Sequence, residues 1–230
     1  MSREIRLVGA IAVRPAILAL IPEFEAATGY AVAARWELNP IVKQQIEASV
    51  PFDLVVINPN LVADLAAQGK LEVASQVSFG RIAMGVAARA GGQPLDLGSV
   101  AAFERTLQAA ASIAYANEGT SGSYFIGLLE QLGIANEVRP KLVPTSGGQT
   151  AAAVARGEAE LAVIPVSSIL AAAPDVVLAG RFPSELQSYI DFAVGISTGA
   201  RDAKAARVLS AFLTSAASDE VLAAKGLERR

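Results

Sequence analysis

The 230-residue chain contains no cysteine and no histidine. Without cysteine there is no disulfide, no thiolate metal site and no thiol nucleophile. Without histidine there is no Ser-His-Asp triad, no imidazole-ligated zinc and no imidazole base. Any acid–base chemistry must come from carboxylates, lysine, tyrosine or bound water. Charged residues are sparse at 18%, against 53% apolar. That balance is too apolar for a disordered chain and sufficient, at this length, to bury a substantial core. Length alone allows one domain or two. Positive charge is nowhere in strong excess. Residues 1–80 carry six Lys/Arg against eight Asp/Glu, residues 81–185 seven against nine, and residues 186–230 six against five. This argues against a nucleic-acid partner.

Long hydrophobic runs are missing as well. None approaches the ~18–20 residues of a membrane span, so membrane insertion is not expected. The start, Met1-Ser2-Arg3-Glu4, passes at once into Ile5-Arg6-Leu7-Val8-Gly9-Ala10. It lacks the order of a secretory signal, a basic start, an apolar centre and a small-residue cleavage site. The expected location is the cytoplasm if Met1 is the native start, and the periplasm if a signal peptide has been removed.

What is present is alternation. Residues 5–13 read as a strand buried on both faces. Pro15 suits a first helical turn, and the spacing of Ile17, Leu20, Ile21 and Phe24 predicts a helix to about Thr28, closed by Gly29. Pro22 inside it predicts a kink. Residues 31–36 form a second strand, a helix starts at Pro40, residues 53–57 form a third strand, and Asn60 is a candidate cap for a helix over 61–68. The middle repeats the theme: a strand at 81–88, a helix capped by Ser99, a strand at 113–116, the turn 117–123, a helix to Leu132, and a strand near 141–144. A turn at 145–148, a helix to Arg156 and a strand at 161–164 follow. After residue 186 come one strand, about 188–196, and helices at 201–215 and 218–225. Strands alternating with helices predict an α/β fold with parallel sheets. No Pro/Gly/Ser-rich linker divides the chain, so two lobes would have to share interleaved segments.

In parallel α/β sheets ligands gather at the carboxyl ends of strands. The residues there are Ala12 and Arg14 after the first strand, Glu37 and Asn39 after the second, and Asn58 after the third. In the middle segment they are Glu118 to Ser123, Ser146 to Gln149, and Pro165 to Ser168. Small residues let backbone N–H groups approach a ligand, and a helix N-terminus favours an anion. Gly119-Thr120-Ser121-Gly122-Ser123 carries the strongest form of this signal. No lysine follows at Walker spacing and no dinucleotide fingerprint is present, so no cofactor and no metal are expected. Each residue also has a plain reading: caps for the Gly/Ser/Thr turns, a solvated cation for Arg14, a turn residue for Asn58, an exposed loop carboxylate for Glu118, packing for Trp36 and Tyr189. The case rests on convergence.

Four stretches resemble the type II periplasmic-binding-protein fold, in particular the molybdate-binding branch of ABC-transporter receptors. They are AILALIPEFEAATGY at 16–30, PIVKQQIEASVPFDLVVIN at 40–58, YFIGLLEQLG at 124–133, and the C-terminal 205–227 with FLTS and KGLE. The resemblance implies two α/β lobes with a ligand cleft between them. Lobe one would be 1–80 plus 190–230 and lobe two 85–185, with hinges near 81–86 and 187–192. It places the family's ligand positions at Ala12, Asn39, Ser121, near Gly147 and at Pro165. The glycine-serine loop and Pro183-Ser-Glu-Leu-Gln187 also resemble the branch containing aconitate isomerase. Three readings follow. The first is a binding protein for a small organic anion, most simply a carboxylate, using Ala12, Arg14, Asn39, Asn58, Thr120, Ser121, Gly122, Ser123 and Gly147. An ABC-transporter permease would be its partner only if the protein is exported. The second is an isomerase or tautomerase of a di- or tricarboxylate, with Glu118, Glu185, Glu37 or Tyr189 as candidate base. The third is binding of a molybdate-type oxyanion.

Overall fold

The computed structural model describes residues 4–229. The chain forms two compact units, one comprising the residues up to Arg81 and from Asp191 onward, the other Ile82–Ile190.

The first unit opens with β1 (Glu4–Ala10), α1 (Arg14–Thr28), β2 (Ala31–Glu37), α2 (Asn39–Glu47), β3 (Leu54–Ile57) and α3 (Pro59–Ala67). Strand β4 (Val77–Arg89) begins in this unit and ends in the other. In the second unit follow α4 (Val100–Ala109), β5 (Ile113–Ala116), α5 (Thr120–Gln131), α6 (Ala135–Val138), β6 (Leu142–Thr145), α7 (Thr150–Arg156), β7 (Leu161–Pro165), α8 (Val166–Leu170) and β8 (Val176–Arg181). The chain finishes with β9 (Tyr189–Ile196), α9 (Ala203–Leu213), α10 (Asp219–Ala224) and the short β10 (Leu227–Glu228), which pairs with β4.

In the first unit β1 pairs in parallel with both β2 and β3, and β9 runs antiparallel to β3. In the second, β5 pairs in parallel with β6 and β7, while β4 runs antiparallel to β7 and β8. The parallel pairing expected from the alternation is present in both units, and each also carries antiparallel strands, so both sheets are mixed. Antiparallel strands pair residues far apart in sequence, and alternation alone carries no sign of direction.

Local chemistry explains most element ends. Helix α1 buries Ala16, Ile17, Leu20, Ile21 and Phe24, the face the spacing marks, and continues through Pro22. Gly29 stops it in the left-handed region, at φ 69°, where a side chain would be strained. The Ser99 hydroxyl accepts the Ala102 N–H at 3.2 Å, capping α4. The cap of α3 is Asn58, not Asn60, because Pro59 occupies the first helical position.

Each unit has its own apolar core. Val8, Val42, Ile46, Val55, Ile57 and Leu65 cluster in the first, and Ala87, Ala114, Val154, Ala162, Ile164 and Ile169 in the second. The amino-terminal edge of the first sheet is fixed by Asp53, 2% exposed. Its carboxylate accepts the Arg6 backbone N–H at 2.8 Å, the Arg6 guanidinium at 2.7 and 3.0 Å, and the Arg201 N–H at 2.9 Å. Burial pushes this carboxyl up, but the Arg6 side-chain bond, the two backbone N–H bonds and the Arg6 charge together outweigh it and hold the group below its ordinary value.

Candidate functional site

The parallel register of the first unit sets Ala10 opposite Glu37 and Gly9 opposite both Trp36 and Val56. The carboxyl ends of β1, β2 and β3 therefore share one edge of this sheet. Ala12 sits there, half-buried, in a single 3-10 turn over Ile11–Val13, so β1 ends three residues earlier than the apolar run suggests. Arg14 is the first residue of α1, is exposed, and pairs with no carboxylate among the described residues. A cation there opposes the helix dipole, an arrangement that a bound anion would relieve.

Asn39 opens α2 and Asn58 precedes α3, and both are 7% exposed. The structure brings them into contact. The Asn58 backbone N–H donates to Asn39 Oδ1 at 3.1 Å, and Asn58 Nδ2 donates to the Asp191 carbonyl at 2.9 Å. Because Asn39 Oδ1 is an acceptor, its Nδ2 is fixed as a donor, and no described residue takes it up. Glu37, last in β2, and Trp36, packed against Gly9, are half-buried.

In the second unit the carboxyl ends of β5, β6 and β7 likewise share an edge. The sequence reads 119–123 as a loop. The structure corrects this: Gly119 is the N-cap of α5, and Thr120, Ser121, Gly122 and Ser123 form its first turn. Gly119 offers no capping side chain, and Ser123 N–H is the first to bond back, to the Gly119 carbonyl at 3.0 Å. The N–H groups of Ser121 and Gly122 thus remain helix-start donors. A Cβ at Gly122 would lie 1.9 Å from the Ala116 carbonyl oxygen, so glycine alone lets α5 start this close to the end of β5. Ser121 is 6% exposed, and its hydroxyl bonds to no described residue. Gly147 is half-buried in the turn between β6 and α7. Pro165 ends β7 and precedes α8.

The candidate bases are placed differently. Glu118 and Glu185 are exposed, and Tyr189, first in β9, is half-buried. The Glu185 carboxyl is held below its ordinary value by its own backbone N–H and by the Ser184 hydroxyl, opposite to the direction a general base requires. Sequence reasoning passed over Tyr124, whose hydroxyl donates to the Leu186 carbonyl at 2.7 Å, tying α5 to the Pro183–Gln187 segment. Burial pushes that hydroxyl up, keeping it a donor. It also passed over Thr145 and Thr150, which flank the Gly147 turn and bond to each other at 2.7 Å. Only the Ser/Thr content around a Gly-Gly pair hints at them in sequence. Among the described residues no group of three or more carboxylates is placed to hold a metal ion, and no helix is long and apolar enough to cross a membrane.

Comparison with known proteins agrees with this architecture. The bacterial extracellular solute-binding protein family matches residues 5–228. The chain belongs to that family. A relative, aconitate isomerase of a Pseudomonas species, is 26% identical over 215 residues, spanning 90% of this chain and 80% of that protein. Among solved structures, the periplasmic molybdate-binding protein of Azotobacter vinelandii superposes with a TM-score of 0.84 at 18% identity, covering 98% of this chain and 99% of that one. The sulfate-binding protein SubI of Mycobacterium tuberculosis gives 0.78 at 16% identity, over 98% and 86%. The solute-binding family thus accounts for the fold as α/β of the two-lobed type II periplasmic-binding-protein kind.

Proposed function

We propose that this solute-binding protein binds a small organic anion, a di- or tricarboxylate, through the neutral donors at the start of α5. The observation that carries the reading is Ser121: a hydroxyl on a residue 6% exposed, without a partner among the described residues, in a helix turn without a side-chain cap. The hydroxyl is therefore open to an outside acceptor, and a carboxylate oxygen at this turn would accept from both the hydroxyl and the backbone. Taken by itself, the first unit also presents donors suited to an anion, the fixed Asn39 Nδ2 and the Arg14 guanidinium. Related proteins named for sulfate and molybdate binding support an anion, and the relative named aconitate isomerase supports a polycarboxylate. Calorimetric titration with citrate and trans-aconitate tests it. Ser121→Ala removes a bond to a charged group worth about 1.5–3 kcal/mol, so affinity falls about ten- to hundredfold. Parent-like affinity of that variant would sink the assignment.

The same relative favours a second reading, isomerisation of a tricarboxylate by proton transfer beside a carboxylate. Incubation of trans-aconitate with the protein in D2O, followed by NMR, separates the two. An isomerase moves or exchanges a proton of the substrate; a binding protein leaves the spectrum unchanged.

A further inference from the structure

We infer that Thr150 and Thr145 are positioning residues for the anion site, a one-way chain of hydroxyl bonds that fixes the Gly147 turn against the end of β5. The inference rests on reading this edge of the second unit as the ligand edge. The Thr145 hydroxyl lies 3.0 Å from the Tyr115 carbonyl oxygen, which can only accept, so Thr145 donates there. Its single proton is then committed. The Thr145 and Thr150 oxygens are 2.7 Å apart, which leaves Thr150 as the donor of that bond. Proton counting therefore forces the order Thr150 to Thr145 to the Tyr115 carbonyl. Thr150 is 3% exposed, so water competes little for its proton.

The chain joins the first residue of α7, the last of β6 and the third of β5. The next residue of β5 is Ala116, whose carbonyl accepts the Gly119 N–H at 3.1 Å and against which Gly122 is seated. The Ser146–Gln149 turn and the first turn of α5 thus take their positions from adjacent residues of one strand, Tyr115 and Ala116. Neither threonine has a proton left for a ligand, so the pair acts by placement. A turn held this way is ordered before binding, which removes part of the ordering cost from association.

The test compares Thr150→Val, which keeps the shape and loses the hydroxyl, with Thr150→Ser, which keeps the hydroxyl. Affinity for trans-aconitate and citrate is measured by calorimetry, and hydrogen exchange over residues 146–153 by mass spectrometry. Thr150→Val should weaken binding about three- to tenfold, the range of one ordinary hydrogen bond, and speed exchange across the turn. Thr150→Ser should restore both, and Thr145→Val combined with Thr150→Val should be no worse than Thr145→Val alone, which already breaks both bonds of the chain. A purely structural role would lower Tm while leaving the affinity of the folded protein intact. Parent affinity and parent exchange in Thr150→Val, or a serine variant no better than valine, overturns the inference. If the parent takes neither probe, the carboxylate reading fails, and the exchange comparison still decides whether the chain holds the turn.

Discussion

Replacing Gly122 by alanine and, separately, Gly127 by alanine makes the same chemical change twice on one helix, with opposite expected signs. Both residues lie in α5, where alanine is intrinsically better than glycine by roughly 0.5–1 kcal/mol. At Gly127 nothing lies within 4 Å of an added Cβ, so the propensity gain should appear in full. At Gly122 the Cβ would meet the Ala116 carbonyl oxygen at 1.9 Å and its carbon at 2.8 Å. Both are backbone atoms of β5, so no side chain can swing aside. Reaching ordinary contact requires the helix start to retreat by more than an ångström, an overpacking cost of about 1–3 kcal/mol or more. At about 2–4 °C per kcal/mol for a chain of this size, Gly127→Ala should raise Tm by about 1–4 °C and Gly122→Ala should lower it by several degrees. The retreat also displaces the Ser121 hydroxyl and the first-turn N–H groups, so Gly122→Ala should weaken citrate binding at least tenfold while Gly127→Ala leaves it unchanged. Differential scanning calorimetry with titration of both variants reads all four quantities. A Gly122→Ala protein that melts at or above the parent and binds citrate normally would refute the claim that close approach of α5 to β5 builds the site.

Asp53→Asn removes the charge that the partly exposed Arg6 guanidinium pairs with, which should cost about 1.5–3 kcal/mol in urea denaturation and spare ligand affinity. Because the Asp53 carboxyl is depressed in the folded protein, its contribution is complete above the ordinary value of about 3.9 and fades as pH falls through the folded value. The parent should therefore lose stability on acidification below about pH 4 more steeply than Asp53→Asn, and parallel acid titrations of the two would contradict this. Arg14→Ala should weaken a polycarboxylate at least thirtyfold, from about 2–5 kcal/mol for a lost charged bond, with the Tm of the ligand-free protein unchanged; equal affinity would make Arg14 an ordinary surface residue. Molybdate should bind about a hundredfold or more weakly than in its dedicated binders, since Ala12 and Pro165 supply no hydroxyl. Submicromolar affinity by calorimetry would overturn that.

Local chemistry was the most readable part of the sequence. The face of α1, the glycine stop at Gly29 and the Ser99 cap depend only on residues within a turn or two, and each appears as its pattern implies. Strand direction is not local. The antiparallel placing of β4 and β9 depends on pairings such as Val56 with Val194, which no short window contains. Strand β8 escaped notice because Val176–Arg181 shows no apolar–polar alternation and runs into Gly180 and Arg181. At the candidate site, the composition of 119–123 implied the wrong conformation. Two glycines and two serines read as a loop, whereas contact between Gly122 and Ala116 lets the same residues begin a helix. Asn39 and Asn58 were each legible as candidates, but the bond between them, and hence the direction of the Asn39 amide, exists only in the folded unit.

A thermal-shift titration tests the central claim most directly, using citrate, trans-aconitate, malate, sulfate, molybdate and an uncharged sugar at matched ionic strength. Binding to the native state alone stabilises by about 2.7 kcal/mol at one hundred times Kd, or about 5–10 °C here. The account predicts such a rise with a polycarboxylate, a smaller one with molybdate, and none with the sugar. A rise with the sugar, or a flat response to every carboxylate, would contradict it.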